Sequence, residues 1–131
     1  MDNKELMKMA KKAKENAYVP YSNFKVGAAL LTKSGKVYTG CNVEIASIGA
    51  TNCAERTAIF KAVSEGEKEF EKIAVTGDAK ETYPCGICRQ VIVEFGTDIE
   101  VIIEKDSKLK VFKIDDLLPY SFTGKDLDEV K

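Results

Sequence analysis

Histidine and tryptophan are both absent from the 131-residue sequence. Without histidine, Ser-His and Cys-His catalysis is excluded, and a transition-metal site has to be built from thiolates and carboxylates. The sequence also has no apolar run that approaches the roughly 20 residues needed to cross a bilayer. The N-terminal stretch "MDNKELMKMAKKAKENAY" mixes charged and apolar residues, unlike a secretory signal. We therefore expect a cytoplasmic protein with no membrane partner.

Charge of one sign is not in excess either, because 20 Lys and Arg residues face 21 Asp and Glu residues, for a net charge of −1. A protein that binds a nucleic-acid backbone usually presents a basic surface. One that binds a single strand usually also presents aromatic side chains on which bases stack. The composition therefore predicts a small-molecule partner and no nucleic acid. The length fits one compact core, so we predict a single domain over residues 1–131.

Helical spacing marks the beginning of the chain. Leu6, Ala10, Ala13 and Ala17 recur at helical spacing, behind Asp2 and Glu5 in positions that can cap a helix start. The helix should end before Pro20. Two strands should follow, "FKVGAALLT" and "KVYTGCNV", joined as a hairpin around Ser34-Gly35.

The rest of the chain alternates helix and strand. One helix is predicted after Cys53 and another after Cys85, ending at Gly66 and Gly96 respectively. Strands are predicted at "KIAVTG", "IEVIIE" and "LKVFKI". This order predicts an α/β fold, a three-layer α-β-α sandwich around a mixed sheet of about five strands.

The cysteines offer three chemical interpretations. In "PCGICRQ", Cys85 and Cys88 lie three residues apart, which places them on one face of a helix. They could form a redox pair. They could also join Cys41 and Cys53 in a structural four-cysteine zinc site, or join Cys53 alone in a catalytic zinc site whose fourth position stays open.

The stretch "NCAERTAIF" places an acid and a cation beside Cys53. Three thiolates leave a zinc site with a net negative charge, which weakens the metal as a Lewis acid. Arg56 and Arg89 are close enough in sequence to donate hydrogen bonds to the sulfurs and withdraw that charge. Glu55 could then act as the general acid and base. Otherwise it is an exposed glutamate at a helix start.

These motifs carry a family resemblance. C-A-E in "NCAERTA" with P-C-x-x-C in "PCGICRQ" resembles the zinc nucleoside deaminases, and the chain as a whole resembles the small homotetrameric cytidine deaminases. The similarity also covers "AYVPYSNFKVGAALL", "GCNVE" and "LLPYSF". It implies one Zn²⁺ per chain, a homotetramer, and hydrolytic deamination of cytidine and deoxycytidine in pyrimidine salvage, with Glu55 moving the protons.

The resemblance also implies a nucleoside site. Phe24 would stack on the pyrimidine, and Asn42 and Glu44 would hydrogen-bond the ribose hydroxyls. The backbone at Ala54 would face the base edge, and Phe122 would reach into a neighbouring subunit's site. From the residues alone, Phe24 could equally be a core aromatic and Asn42 a turn residue.

Two positions depart from the family pattern. Where these enzymes usually read E-N-A-x-Y, this chain has Ile45 and Ile48 in place of the amide and the aromatic. An apolar loop of this kind favours an interface. The two isoleucines could also alter the sugar pocket, which leaves open a deaminase of a modified nucleoside, or a zinc-stabilised nucleoside-binding module without turnover.

Overall fold

The computed structural model describes residues 1–128. Within those residues no helix is both long and apolar enough to span a membrane. In chain order the elements are α1 (Asn3–Lys14), β1 (Val26–Thr32), β2 (Val37–Cys41), a 3-10 turn (Ile48–Ala50), α2 (Ala54–Ser64), β3 (Phe70–Gly77), α3 (Gly86–Glu94), β4 (Glu100–Lys105), β5 (Lys108–Lys113), α4 (Ile114–Leu117) and α5 (Gly124–Asp128).

The five strands form one mixed sheet in the order β2-β1-β3-β4-β5. β1 runs antiparallel to both β2 and β3, β3 and β4 are parallel, and β4 and β5 form a hairpin. The β4–β5 turn places Asp106 and Ser107 at φ 51° and 63°, as a two-residue type I′ turn requires. The predicted mixed sheet of five strands is confirmed.

Helices cover both faces of this sheet, because successive strand side chains point to opposite sides. Leu31 packs with Leu6 of α1 in one buried cluster. Its neighbour Leu30 packs with Ile59 of α2 in the other cluster, which also contains residues of α3. The predicted three-layer α/β fold is confirmed.

Two glycines allow the helices to lie directly on the strands. A Cβ on Gly27 would be 2.1 Å from the carbonyl oxygen of Ala10 in α1. A Cβ on Gly40 would be 2.4 Å from the carbonyl oxygen of Ala54, the first residue of α2. Only glycine fits at these crossings, so Gly40 fixes where the N-terminus of α2 sits on the sheet.

Local signals located the long helices but not the short ones, and α1 ends at Lys14 rather than extending through Ala17. The side chain of Asp2 caps α1, since its Oδ1 accepts a hydrogen bond from the Glu5 amide at 2.8 Å. The helices α4 and α5 were not predicted, because four or five residues are too few to show a helical period. The single domain over 1–131 stays a prediction, since residues 129–131 lie outside the described part.

Candidate active site

Two of the cysteines occupy equivalent places at helix starts. Cys53 is the N-cap of α2 and Cys85 is the N-cap of α3, both with extended backbone. Cys88 lies in the first turn of α3, and its amide donates to the Cys85 sulfur at 3.5 Å. A helix N-terminus carries partial positive charge, so both helices stabilise thiolates at this point.

The three sulfurs form a group that fits zinc. The Sγ atoms of Cys53, Cys85 and Cys88 all lie within 4.8 Å of one another. Cys53 Sγ and Cys85 Sγ are 3.8 Å apart, and all four cysteines are free thiols. Sulfurs around a tetrahedral zinc with Zn–S bonds of about 2.3 Å are roughly 3.8 Å apart. Three protein ligands with one open position are typical of a catalytic site.

Cys41 does not join this group. It ends β2, opposite Gly27 of β1, and within residues 1–128 the only cluster of three or more metal-binding side chains is the one formed by the other three cysteines. The four-cysteine interpretation is therefore wrong.

The surroundings of the cluster favour the thiolate form of Cys53. A hydrogen bond shared with Cys88 lowers the pKa of Cys53, and the Arg56 guanidinium lowers this pKa further. Arg56 Nη2 donates to Cys53 Sγ at 3.1 Å. The same shared proton, together with burial, raises the pKa of Cys88. The Cys53 thiolate in turn raises the pKa of Arg56.

The hydrogen bonds of Arg89 differ from the predicted contact with a cysteine sulfur. Its Nε donates to the Pro84 carbonyl and its Nη1 to the Leu117 carbonyl, both at 2.8 Å. These hydrogen bonds go to carbonyl oxygens rather than to a sulfur, because the end of α4 packs beside α3. Arg89 therefore holds the loop before Cys85 against α4.

Glu55 is the buried acid of the site. It is the second residue of α2 and is only 3% exposed, so the interpretation as an exposed helix-start glutamate is wrong. Burial raises the pKa of Glu55 to about 7, and the charge of the neighbouring Cys53 thiolate acts in the same direction. A carboxyl group with a pKa near neutrality can both accept and release a proton under ordinary conditions.

A single backbone bridge places the predicted sugar-binding residues beside this acid. Val43 and Asn52 exchange two N–H to O=C hydrogen bonds of 3.0 Å. Asn52 directly precedes Cys53, and Val43 lies between Asn42 and Glu44. The bridge therefore brings the segment with the predicted sugar-binding residues next to the start of α2.

Asn42 holds the segment that carries Phe24. Its Nδ2 donates to the Phe24 carbonyl at 2.9 Å, and its Oδ1 accepts from the Val26 amide at 2.9 Å. Phe24 is 36% exposed, so the core-aromatic interpretation is wrong.

Glu44 holds the tip of the same segment. Its Oε1 accepts from the amides of Tyr21 and Ser22, each at 3.0 Å, and its Oε2 accepts from the Ser22 hydroxyl. The Ser22 hydrogen bond is the main reason why the pKa of Glu44 is lowered. Sequence reasoning missed Ser22, although its position between Pro20 and Asn23 is a turn signal.

The two isoleucines lie beside Glu44. Ile45 is 40% exposed and Ile48 is 83% exposed. They border a mainly apolar cavity of about 290 Å³, lined by Tyr21, Glu44, Ile45, Ala46, Ile48 and Thr51. Thr51 fixes the loop, because its Oγ1 accepts from the Ile45 amide at 3.1 Å.

Phe122 lies in another part of the surface. The residue is 58% exposed and borders a largely apolar groove of about 510 Å³, together with side chains of α2, α3 and α5. The Gln90 side-chain amide donates to the Phe122 carbonyl. Its predicted contact with a neighbouring subunit stays a prediction.

A buried glutamate beside three convergent cysteine sulfurs is the geometry that the C-A-E and P-C-x-x-C motifs predicted. Residues 1–104 match the family described as "Cytidine and deoxycytidylate deaminase zinc-binding region". The chain belongs to this deaminase family.

Named relatives of this family span the chain. A cytidine deaminase of Halalkalibacterium halodurans is 48% identical over 98% of this chain and 100% of the relative. One from Sporosarcina psychrophila is 47% identical over 97% and 96%. The crystal structure of a cytidine deaminase from Burkholderia pseudomallei matches with a TM-score of 0.89 and 50% identity, covering 93% of this chain and 100% of that one.

Proposed function

We propose that this protein catalyses the zinc-dependent hydrolytic deamination of cytidine and deoxycytidine to uridine and deoxyuridine, with release of ammonia, as a step of pyrimidine salvage. The observation that carries the proposal is the burial of Glu55 beside the Cys53 thiolate. A buried carboxyl group with a raised pKa, next to a metal-binding cluster, is what acid–base catalysis needs and a purely structural zinc site does not.

Cys53, Cys85 and Cys88 would hold one zinc ion per chain. Bound there, zinc supplies Lewis-acid chemistry and lowers the pKa of water. Arg56 supports this chemistry, because its hydrogen bond to Cys53 removes electron density from one sulfur. Arg89 supports it indirectly, by holding the loop that carries Cys85.

Glu55 moves the protons of the reaction. Its carboxylate takes a proton from the attacking water and delivers it to the ring nitrogen beside the carbon that bears the amino group. The water oxygen bonds to that carbon, and its remaining proton passes through Glu55 to the amino group. The C–N bond then breaks, ammonia leaves, and the oxygen stays as the carbonyl of the uridine. One carboxyl group acts as base and then as acid.

The nucleoside would lie between the α2 N-terminus and the Tyr18–Phe24 segment. The ring of Phe24 stacks on the pyrimidine, Asn42 and Glu44 bind ribose hydroxyls, and the backbone at Ala54 faces the base edge. This arrangement is supported by the bridge that places residues 42–44 directly beside the segment leading into α2.

Ammonia release from purified, zinc-loaded protein tests the proposal. Cytidine, deoxycytidine, adenosine and cytosine would be compared, with formation of uridine followed separately. We expect ammonia and uridine in equal amounts from cytidine, and none from adenosine. Binding of cytidine without any ammonia would support the zinc-stabilised binding module instead.

A modified nucleoside is the second candidate substrate. Its support is the apolar cavity beside Glu44, where Ile45 and Ile48 replace polar and aromatic residues of the family pattern. A more apolar wall near the sugar favours a less polar or altered sugar. Preference for such an analogue over cytidine in the same assay would establish it.

We also propose a homotetramer in the cytoplasm, with active sites at subunit boundaries. Ile87 and Phe122 are each more than half exposed and border one largely apolar groove, and a contiguous exposed apolar patch often marks an interface. Four free thiols suit a reducing compartment. Light scattering at micromolar protein should give four times the chain mass, and an active monomer would contradict the assembly.

A further inference from the structure

The hydroxyl of Ser22 joins the Glu44 side chain to the backbone of Phe24 in the proposed nucleoside site. It donates to Glu44 Oε2, and it accepts from the Phe24 amide at 3.0 Å. We infer that Ser22 is a positioning residue that holds the Glu44 carboxylate and the backbone at Phe24 in one arrangement and thereby sets the affinity for the nucleoside. This inference rests on the nucleoside site of the proposed function.

The local sequence builds this contact. Pro20 restricts φ at the start of the turn, and Asn23 adopts the left-handed conformation at φ 59°. The Asn23 amide donates to the Val19 carbonyl at 3.0 Å and closes the turn. The Ser22 hydroxyl is then in place to accept from the amide two residues ahead, which is the usual local contact of a serine in a turn.

The hydrogen bonds of Glu44 show how many acceptor positions of its carboxylate remain for a ligand. A carboxylate has about four acceptor positions. The amides of Tyr21 and Ser22 use both positions of Oε1, and the Ser22 hydroxyl uses one position of Oε2. One position on Oε2 remains, so Glu44 accepts one sugar hydroxyl in a fixed direction.

The base of the segment is held independently of Ser22. The Tyr18 amide donates to the Asn42 carbonyl at 3.0 Å, and the Glu44 amide donates to the Tyr18 carbonyl at 2.8 Å. These backbone contacts persist when the Ser22 hydroxyl is removed. Removal of the hydroxyl therefore changes the orientation of the Glu44 carboxylate and of the backbone at Phe24. It leaves the fold and the cysteine cluster unchanged.

Ser22→Ala tests the inference, with Ser34→Ala as a matched control. Ser34 also donates its hydroxyl to a glutamate, at 2.7 Å to Glu67, but it lies in the β1–β2 turn. Uridine affinity would be measured by calorimetry, and kcat and KM for cytidine by uridine formation. We expect Ser22→Ala to weaken uridine binding and raise KM by about tenfold, with kcat and zinc content little changed. Ser34→Ala should match the wild type.

Two further variants separate positioning from a general structural effect. Ser22→Thr keeps the hydroxyl and should restore most of the affinity. In a Glu44→Gln background, Ser22→Ala should weaken uridine binding by only about threefold or less, because both changes act on one interaction. Effects that multiply fully would show that Ser22 acts independently of Glu44, and would overturn the inference.

The binding and turnover measurements distinguish failure of the inference from failure of the proposed function. Wild-type deamination combined with unchanged uridine affinity in Ser22→Ala would overturn the inference alone. Weakened uridine binding in Ser22→Ala, with no nucleoside deaminated by the wild type, would overturn the proposed function alone. A wild-type protein that neither binds uridine nor deaminates cytidine would overturn both.

Discussion

Arg56 donates from Nη2 to the sulfur of Cys53 at 3.1 Å, one helical turn before it in the chain. Within residues 1–128, the buried Nε of the same guanidinium has no hydrogen-bond partner. The desolvation of this cation is therefore offset chiefly by the thiolate. The contact connects the charge of the metal-binding cluster to the helix that also carries Glu55.

Replacing Arg56 should weaken the metal site. Arg56→Ala is expected to reduce zinc affinity or turnover by roughly 10- to 100-fold, because a thiolate loses its charge-assisted hydrogen bond. Competition with a zinc chelator measures the affinity. Arg89→Ala is the comparison, and it should chiefly lower the melting temperature, since Arg89 binds carbonyl oxygens of Pro84 and Leu117. Equal losses of zinc affinity would contradict the different roles assigned to the two arginines.

Zinc content should depend on three of the four cysteines. Cys53→Ala, Cys85→Ala and Cys88→Ala should each lose the ion and the activity, because each removes one of the convergent sulfurs. Cys41→Ala should retain one zinc per chain, measured by atomic emission on dialysed protein. Loss of zinc in the Cys41 variant would restore the four-cysteine interpretation.

The crossing of α2 over β2 should not tolerate a methyl group. In Gly40→Ala the new Cβ would meet the Ala54 carbonyl oxygen at 2.4 Å and the Ala58 amide nitrogen at 2.6 Å. Moving α2 away costs about 1–3 kcal/mol of unfolding free energy and displaces the helix start that carries the site. Urea unfolding measures the loss, with Gly124→Ala as control, since its Cβ has no neighbour within 4 Å. Equal stability of the two variants would mean that the crossing is not close.

Restoring the family residues at the isoleucines should change sugar selectivity. Ile45→Asn combined with Ile48→Tyr returns an amide and a hydroxyl-bearing ring to the wall beside Glu44. Polar groups that lose a supporting hydrogen bond cost about 1–3 kcal/mol, so the double variant should gain in kcat/KM for cytidine relative to a sugar-modified analogue. An unchanged ratio would assign both isoleucines to the interface.

Signals confined to a few neighbouring residues were sufficient for the main elements of the fold. The Asp2 cap and the glycine at position 66, which has φ of 94°, act within a single turn of chain. The mixed sheet followed from the alternation of such elements. The cysteine cluster was predictable for a different reason. A chain without histidine leaves mainly cysteine and carboxylate side chains as ligands for a transition metal.

Contacts between remote residues could not be predicted from the sequence. Arg89 had the spacing to reach a sulfur, but the Leu117 carbonyl, 28 residues away, takes one of its hydrogen bonds. The same holds for Ser22 and Glu44, which are 22 residues apart. Such partners are set by the packing of whole elements, and no local pattern encodes them.

Turnover by Glu55→Gln tests the account most directly. The amide has nearly the same size as the buried carboxyl group but cannot carry the proton, so zinc content and melting temperature should stay close to those of the wild type. Glu71→Gln, at an exposed position of β3, is the matched control. We predict that Glu55→Gln lowers kcat for cytidine by at least about 10²- to 10⁴-fold, while Glu71→Gln turns over normally. Normal turnover by zinc-loaded Glu55→Gln would contradict the mechanism.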